Sequence, residues 1–407
     1  MNRWRLDSLL LYSIPWVAAL SCLGGIAVGK LRHTGLLWML TLALGIHAIV
    51  LKDRSHKITF PWMWWAPFYF YTFLSFFWSD LNPIDNLQPA VQMSVFFVVG
   101  IVSSFAVRNE DEMKKTNWMY LAASLFVGIV GVYFLFGPGK AVQGQTKGLY
   151  TGFAERPAAM TLLIVGAIFL AQFRNMPVVA SLAWASSLIV SIISGGRMVS
   201  LLMIVLWILH PRLVSLSSRI VVVGFAMLIM LVAFNTPIIQ ERFFAKQTGF
   251  SGKGGLEDVV EGRFDSSGRF KAWPKIFKEA CAKPIFGHGS GESAEFVYKV
   301  WAPMDKPHNE YLRLSFEGGL VSLALFLIAS LGTLWNLHHI LATSPLNGNW
   351  PAAAAHMGFI AFLLLAFVDN PLVCGNNFMH PLFALIGAAN GIHYAQQSRA
   401  VVEAPDN

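Results

Sequence analysis

The chain has 407 residues, of which 55% are hydrophobic and only 13% charged, and its mean hydropathy is +0.55. Soluble domains carry about a quarter charged residues, so this composition excludes an ordinary water-soluble fold and points to an all-α, polytopic integral membrane protein. The net charge of +8 sits in short loops between apolar stretches, with no basic stripe interleaved with aromatics, which sets nucleic acid aside as a partner.

At about 20 apolar residues per crossing helix, the sequence predicts about twelve transmembrane helices. In chain order they fall at residues 9–29, 35–51, 61–79, 89–107, 118–136, 157–173, 177–194, 198–210, 219–236, 309–335, 351–368 and 378–394. The basic start, Met1 to Asp7, leads into an apolar run as far as Gly29, which reads as a first span and not as a cleavable signal. Setting both termini in the cytoplasm gathers most Lys and Arg of the short loops inside, among them Arg54, Arg108, Lys115 and Arg212. The chain then divides into transmembrane helices 1–9 (residues 1–237), a periplasmic loop (238–307), transmembrane helices 10–12 (308–396) and a cytoplasmic tail (397–407). Long loops translocate whatever their charge, and an ordered loop of this length is usually functional.

Within that loop, Gly249–Gly255 is glycine-rich but lacks the spacing of a phosphate-binding loop. Pro274–Ala282 predicts a short helix with Pro274 in its first turn, where proline is tolerated. Gly287-His288-Gly289-Ser290-Gly291 predicts a turn; it is not a nucleophile elbow, since His288 and Glu292 stand where glycines are needed around Ser290. The three cysteines form no zinc pattern. Cys22 lies inside the first span as a small hydrophobe, whereas Cys281 and Cys374 fall on one side, where a bridge between them is open.

No Asp-x-Asp, His-Glu-x-x-His or Walker sequence is present, and His338-His339 lacks the helical spacing of a metal pair. Ionisable residues in the spans are few, and Arg197, Arg313, Glu317 and Asp369 all sit near outer ends. His47 and His356 are the mid-span exceptions and read as packing residues. A coupled transporter would instead place carboxylates at the midplane. Arg197 follows Ser194-Gly195-Gly196 and begins the eighth span. It reads either as part of an anion site at a helix N-terminus or as an arginine snorkelling to water. His308, in Pro307-His308-Asn309-Glu310-Tyr311-Leu312, stands where the loop re-enters the tenth span. It reads either as a general base, kept neutral by the helix N-terminus, or as a helix-start residue in the headgroup layer. Arg263 and Arg269 bracket Asp265 and converge on an anion with Arg197 or pair with Asp265 or Glu261. Lys140, Lys147 and Arg156 add outer-face positive charge.

The order of these motifs resembles the O-antigen ligase (WaaL) family within the ligase and polymerase superfamily. It runs from Ser-Gly-Gly-Arg197 through Ser-Gly-Arg269-Phe-Lys-Ala-Trp273 and Pro284-Ile-Phe-Gly287-His-Gly289 to His308-Asn309-Glu-Tyr-Leu312 and Glu317-Gly-Gly-Leu. The resemblance covers Gly195 through about Leu325 by motif. It implies an enzyme of the bacterial inner membrane, with its active face periplasmic. Such an enzyme moves a glycan from undecaprenyl diphosphate to the lipid A-core oligosaccharide with no metal or other cofactor. Carried over by motif, Arg197 and Arg269 bind the diphosphate, with Arg263 and Arg156 as additions, and His308 acts on the acceptor hydroxyl. Asn309, Glu310 and Asp369 are secondary candidates. An O-antigen polymerase and a protein O-oligosaccharyltransferase would share the donor, and a transporter of lipid-linked glycans is the non-enzymatic rival.

Overall fold

The structure, a computed structural model, describes the chain apart from residues 1–5, 24–26, 29–30, 53–56, 82, 137–154, 174–175, 194–196, 303, 305, 345–348, 374, 404–407 and all but seven of residues 210–267. Among the described residues lie thirteen α-helices: α1 (Leu6–Leu20), α2 (His33–Val50), α3 (Trp62–Leu74), α4 (Pro83–Ala106), α5 (Glu110–Phe136), α6 (Glu155–Gln172), α7 (Pro177–Ile193), α8 (Arg197–Leu209), α9 (Arg269–Ala280), α10 (Glu292–Trp301), α11 (Glu310–Thr343), α12 (Trp350–Leu365) and α13 (His380–Glu403). A 3₁₀ turn (Pro371–Val373) and a π-helix (Gly375–Met379) join α12 to α13. The β structure among these residues is one two-residue antiparallel hairpin, Ala27–Val28 with Leu31–Arg32.

The helix starts follow local chemistry. Asn309 and Asn349 cap α11 and α12, their side chains accepting from the Leu312 and Ala352 N–H groups. Glu110, Asp111 and Glu112 place negative charge in the first turn of α5, against the positive end of its dipole. α6 is buried at every position from Ala158 to Ala171, as a helix apolar on all sides must be. α4 and α13 meet backbone to backbone. A Cβ on Gly387 would lie 2.2 Å from the Gly100 carbonyl oxygen, and one on Gly391 would lie 2.2 Å from that of Val107. Small residues four apart allow this approach in apolar helices. Trp65, fully buried, donates from Nε1 to Thr333 Oγ1 at 2.9 Å and packs against the rings of Phe68, Phe326, Phe359 and Phe383.

The outer surface is as apolar as the core. Phe70, Phe77, Ile129, Leu182 and Trp335 are all exposed, which water would not tolerate over so wide an area. Two helices are long and apolar enough to cross a bilayer, over Glu110–Phe134 and Glu310–Thr343; only 28% and 39% of their most apolar windows are covered by protein. They are therefore not the core helices of a soluble domain. The remaining apolar helices are shorter. Described helices overlap eleven of the twelve expected spans; the span at 219–236 lies mostly outside the described residues, as does Gly249–Gly255.

Two readings of the loop are corrected. The helix expected at 274–282 begins earlier, at Arg269, and Pro274 lies inside it. Gly268 supplies the start: its φ of 82° is a left-handed conformation that glycine adopts without strain. Cys281 is a free, exposed thiol, so it is not bridged; Cys374 lies outside the described residues. The turn at 287–291 is present, with positive φ at Gly287, Gly289 and Gly291.

Candidate active site

α11 begins one residue after Asn309, and His308 stands just before that cap. Among the described residues His308 is the non-glycine with a positive φ, 51°. A bulky residue held there stores roughly 1–3 kcal/mol of strain, so neighbouring groups must fix it. The His308 N–H donates to Asn370 Oδ1 at 2.7 Å, and its Nδ1 lies 3.1 Å from Asp369 Oδ1. The Trp301 ring meets the imidazole edge-on at 5.8 Å. Trp273 Nε1 donates to the Pro307 carbonyl at 2.7 Å, anchoring the preceding residue. The side chain of His308 is buried, and Asp369 is partly covered.

Beneath this pair runs a buried polar network on one face of α11. Arg313 donates from Nε to Glu310 Oε1 at 2.6 Å and from Nη1 to Glu317 Oε2 at 2.7 Å. Ser293 of α10 donates to Glu317 Oε1 at 2.5 Å, and Asn370 Nδ2 reaches Glu310 Oε2 at 3.5 Å. The Glu310 N–H donates to the Ala366 carbonyl at the end of α12. A single arginine between two carboxylates leaves each buried charge with a partner, as a low-dielectric interior requires. The network joins α10 to Asn370, and Asn370 joins it to the His308 backbone.

α11 is broken at Gly319 (φ 64°, ψ −162°), which strands backbone groups on both sides. The segment before α10 satisfies them. His288 and Gly289 N–H groups donate to the Phe316 and Glu317 carbonyls, at 2.9 and 2.8 Å. Leu320 N–H donates to the Pro284 carbonyl at 2.8 Å and Val321 N–H to that of Ile285 at 3.3 Å. Tyr71 of α3 adds its hydroxyl to the Gly318 carbonyl at 2.9 Å. Away from water an unpaired backbone group is expensive, and this loop removes that penalty. Glu292, opening α10, ties the same loop to the end of α3 by accepting from Ser79 Oγ and the Asp80 and Leu81 N–H groups.

His308, Asn309, Glu310 and Asp369 are thus gathered in one place. Arg269 is the first residue of α9 and is half-buried. Trp301 connects it to the histidine: its indole lies against Gly268, where a Cβ would come within 2.4 Å of Nε1, and also meets His308. Arg197 opens α8 and Arg156 lies in the first turn of α6. Arg263, Lys140 and Lys147 fall outside the described residues. No cluster of three or more metal-ligating side chains occurs among the described residues. Sequence reasoning missed Asn370, Ser293 and Trp301. The signal for Asn370 was present in Asp369-Asn370, two polar residues closing an apolar span.

A buried histidine–carboxylate pair at the mouth of an apolar helical body defines the class as a membrane-embedded enzyme. Residues 159–327 match the model of the O-antigen ligase family, so the chain carries an O-antigen ligase family domain and through it joins the O-antigen ligase/polymerase superfamily. The matched stretch runs from α6 into α11. It includes Arg197, Arg263, Arg269 and His308 and leaves Arg156 and Asp369 on either side. No curated protein matches the chain.

Proposed function

We propose that this protein is the ligase that moves O-antigen polysaccharide from undecaprenyl diphosphate to the lipid A-core oligosaccharide. It works on the periplasmic face of the bacterial inner membrane, by a metal-independent, inverting single displacement. The observation that carries the reading is the pair His308 Nδ1–Asp369 Oδ1 at 3.1 Å, set at the start of α11 beside a family domain whose substrates are lipid-linked glycans.

The chemistry follows from that pair. Asp369 engages Nδ1, which fixes the tautomer and makes Nε2 the atom that takes the proton of the acceptor hydroxyl. The acceptor oxygen forms its bond to the anomeric carbon as the bond to the diphosphate oxygen breaks, and the diphosphate departs on its lipid. Arg197 and Arg269, aided by Arg263 and Arg156, stabilise the charge on that leaving group, as preorganised donors do in a transition state. Base catalysis of this kind contributes typically about 10²–10⁴-fold. Twelve spans with both termini cytoplasmic put the loop of residues 238–307 on the face where these groups meet.

The test is reconstitution of the full chain with a lipid-linked glycan and purified lipid A-core. Glycan on lipid A supports the ligase. Lengthened lipid-linked glycan, with lipid A untouched, overturns it in favour of a polymerase, which would use the same donor groups. Transport without transfer overturns both.

A further inference from the structure

Beside His308 an open groove of about 570 Å³ runs between α9 and α11. Trp273 and Phe277 line one wall, Asn309, Tyr311 and Ser315 the other, and Phe367 closes the end. Its walls are almost wholly apolar, and Phe277 and Phe367 are exposed. On α9, Arg269, Trp273 and Phe277 follow one another at intervals of four residues, so they share a face and stand about 6 Å apart along the axis. A molecule lying on that face meets a guanidinium and a helix N-terminus at one end and an apolar channel at the other. The complement is an amphiphile whose anionic group adjoins its hydrocarbon directly.

We propose that this groove holds the first isoprene units of the donor lipid, with the diphosphate at Arg269; the inference rests on the reading above that the donor is lipid-linked. The position of the groove decides between the two lipid substrates. In the donor, only the diphosphate separates the reacting carbon from the isoprenyl chain. In the acceptor, an oligosaccharide separates the reacting hydroxyl from the acyl chains. A channel whose wall contains Asn309 and Tyr311, next to His308 in the chain, is close enough to the reacting centre for the donor's tail only.

The experiment places the photoreactive residue p-benzoylphenylalanine at position 277 of the full chain in nanodiscs, with undecaprenyl diphosphate or purified lipid A-core as the probe. Leu331, exposed on α11 and about 24 Å further along it by helical rise, carries the same residue as a control. The expected result is an adduct with undecaprenyl diphosphate at 277 in large excess over 331. Filling the groove with Ser315→Trp should lower that adduct about tenfold, the loss that about 1.4 kcal/mol of apolar contact represents. Adducts with lipid A-core instead, equal yields at 277 and 331, or a yield indifferent to Ser315→Trp would each overturn the proposal. The readout needs no turnover, so a chain that binds the lipid here yet transfers no glycan would keep the groove and refute the ligase reading.

Discussion

His308 Nδ1 lies 3.1 Å from Asp369 Oδ1, a contact between residues 61 apart in the chain that joins the start of α11 to the segment after α12. The segment makes two holds on the histidine at once, because Asn370 accepts from the His308 N–H at 2.7 Å. One hold aims the ring and the other fixes the backbone in its left-handed conformation. Asp369 and Asn370 therefore determine where the imidazole points, whereas His308 alone would not.

If the pair acts as a base and its orienting carboxylate, Asp369→Asn should keep the shape and lose the chemistry. The amide presents an N–H or an oxygen to Nδ1 and no longer selects the tautomer. We expect kcat for transfer to fall roughly 10²- to 10⁴-fold with little change in donor KM. His308→Ala should abolish transfer with expression intact. The double variant should be no worse than His308→Ala, since the two residues act as a unit. Additive losses in steady-state kinetics would break the pairing.

Arg313 stands between Glu310 and Glu317 with all three side chains buried. Removing the cation with Arg313→Met leaves two carboxylates without their partner, which costs roughly 3–5 kcal/mol. The melting temperature in detergent should drop sharply, and the fully folded fraction with it. Ser293→Ala removes one hydrogen bond to Glu317 and should cost about 1–3 kcal/mol, because that bond goes to a charged group. A melting temperature unchanged by Arg313→Met would show that the network is not a structural element.

Much of this was legible before the structure, for a physical reason. Apolar runs of membrane length admit only helices, so α1 to α8 and α11 to α13 follow directly from composition. His308 and Arg269 were legible because their motifs lie at helix starts. The partners were not. Glu310, Arg313 and Glu317 carry the spacing of one helical face, but nothing local says that the face is buried against α10. The loop Pro284–Gly289 reads as a turn, and its purpose appears only when α11 is seen to break at Gly319. Pro274 was misplaced because Gly268 starts the helix earlier than proline's preference for a first turn suggests.

Gly319 and Gly289 mark where the loop and the broken helix touch. A Cβ on Gly319 would lie 2.2 Å from the Ile285 carbonyl oxygen, and one on Gly289 would lie 2.5 Å from the Ser79 Cα. Both glycines also hold positive φ. Gly319→Ala and Gly289→Ala should each destabilise by about 2 kcal/mol or more, combining left-handed strain with a backbone clash. Gly128→Ala, with nothing within 4 Å of the new methyl, should be neutral or stabilising by up to about 1 kcal/mol. Thermal unfolding of the three variants in one detergent makes the comparison.

Cys281 gives a native reporter of topology, since it is free and exposed while Cys22 is buried. In a Cys374→Ser background, a membrane-impermeant maleimide should label Cys281 from the periplasmic side of intact spheroplasts, and Cys22 should stay unlabelled. Labelling that needs the membrane to be opened would put the end of α9 in the cytoplasm. That result would invert the proposed orientation and carry His308 to the wrong face.

Arg269 and Trp273, one helical turn apart on α9, divide two tasks that substitution can separate. Trp273 anchors the Pro307 carbonyl and so acts on the position of His308. Arg269 leads the helix toward the diphosphate and acts on the donor. Arg269→Lys keeps a charge but loses the planar fork that matches a diphosphate, so donor KM should rise roughly tenfold and kcat should fall with it. Trp273→Phe keeps the ring and loses the N–H, so kcat should fall while donor KM stays nearly constant. The contrast lies in the ratio of the two constants: a substitution acting only through stability would lower the active fraction and leave both KM values unchanged. If Arg269→Lys behaves that way, the arginine is structural and the diphosphate must be held by Arg197 and its neighbours alone.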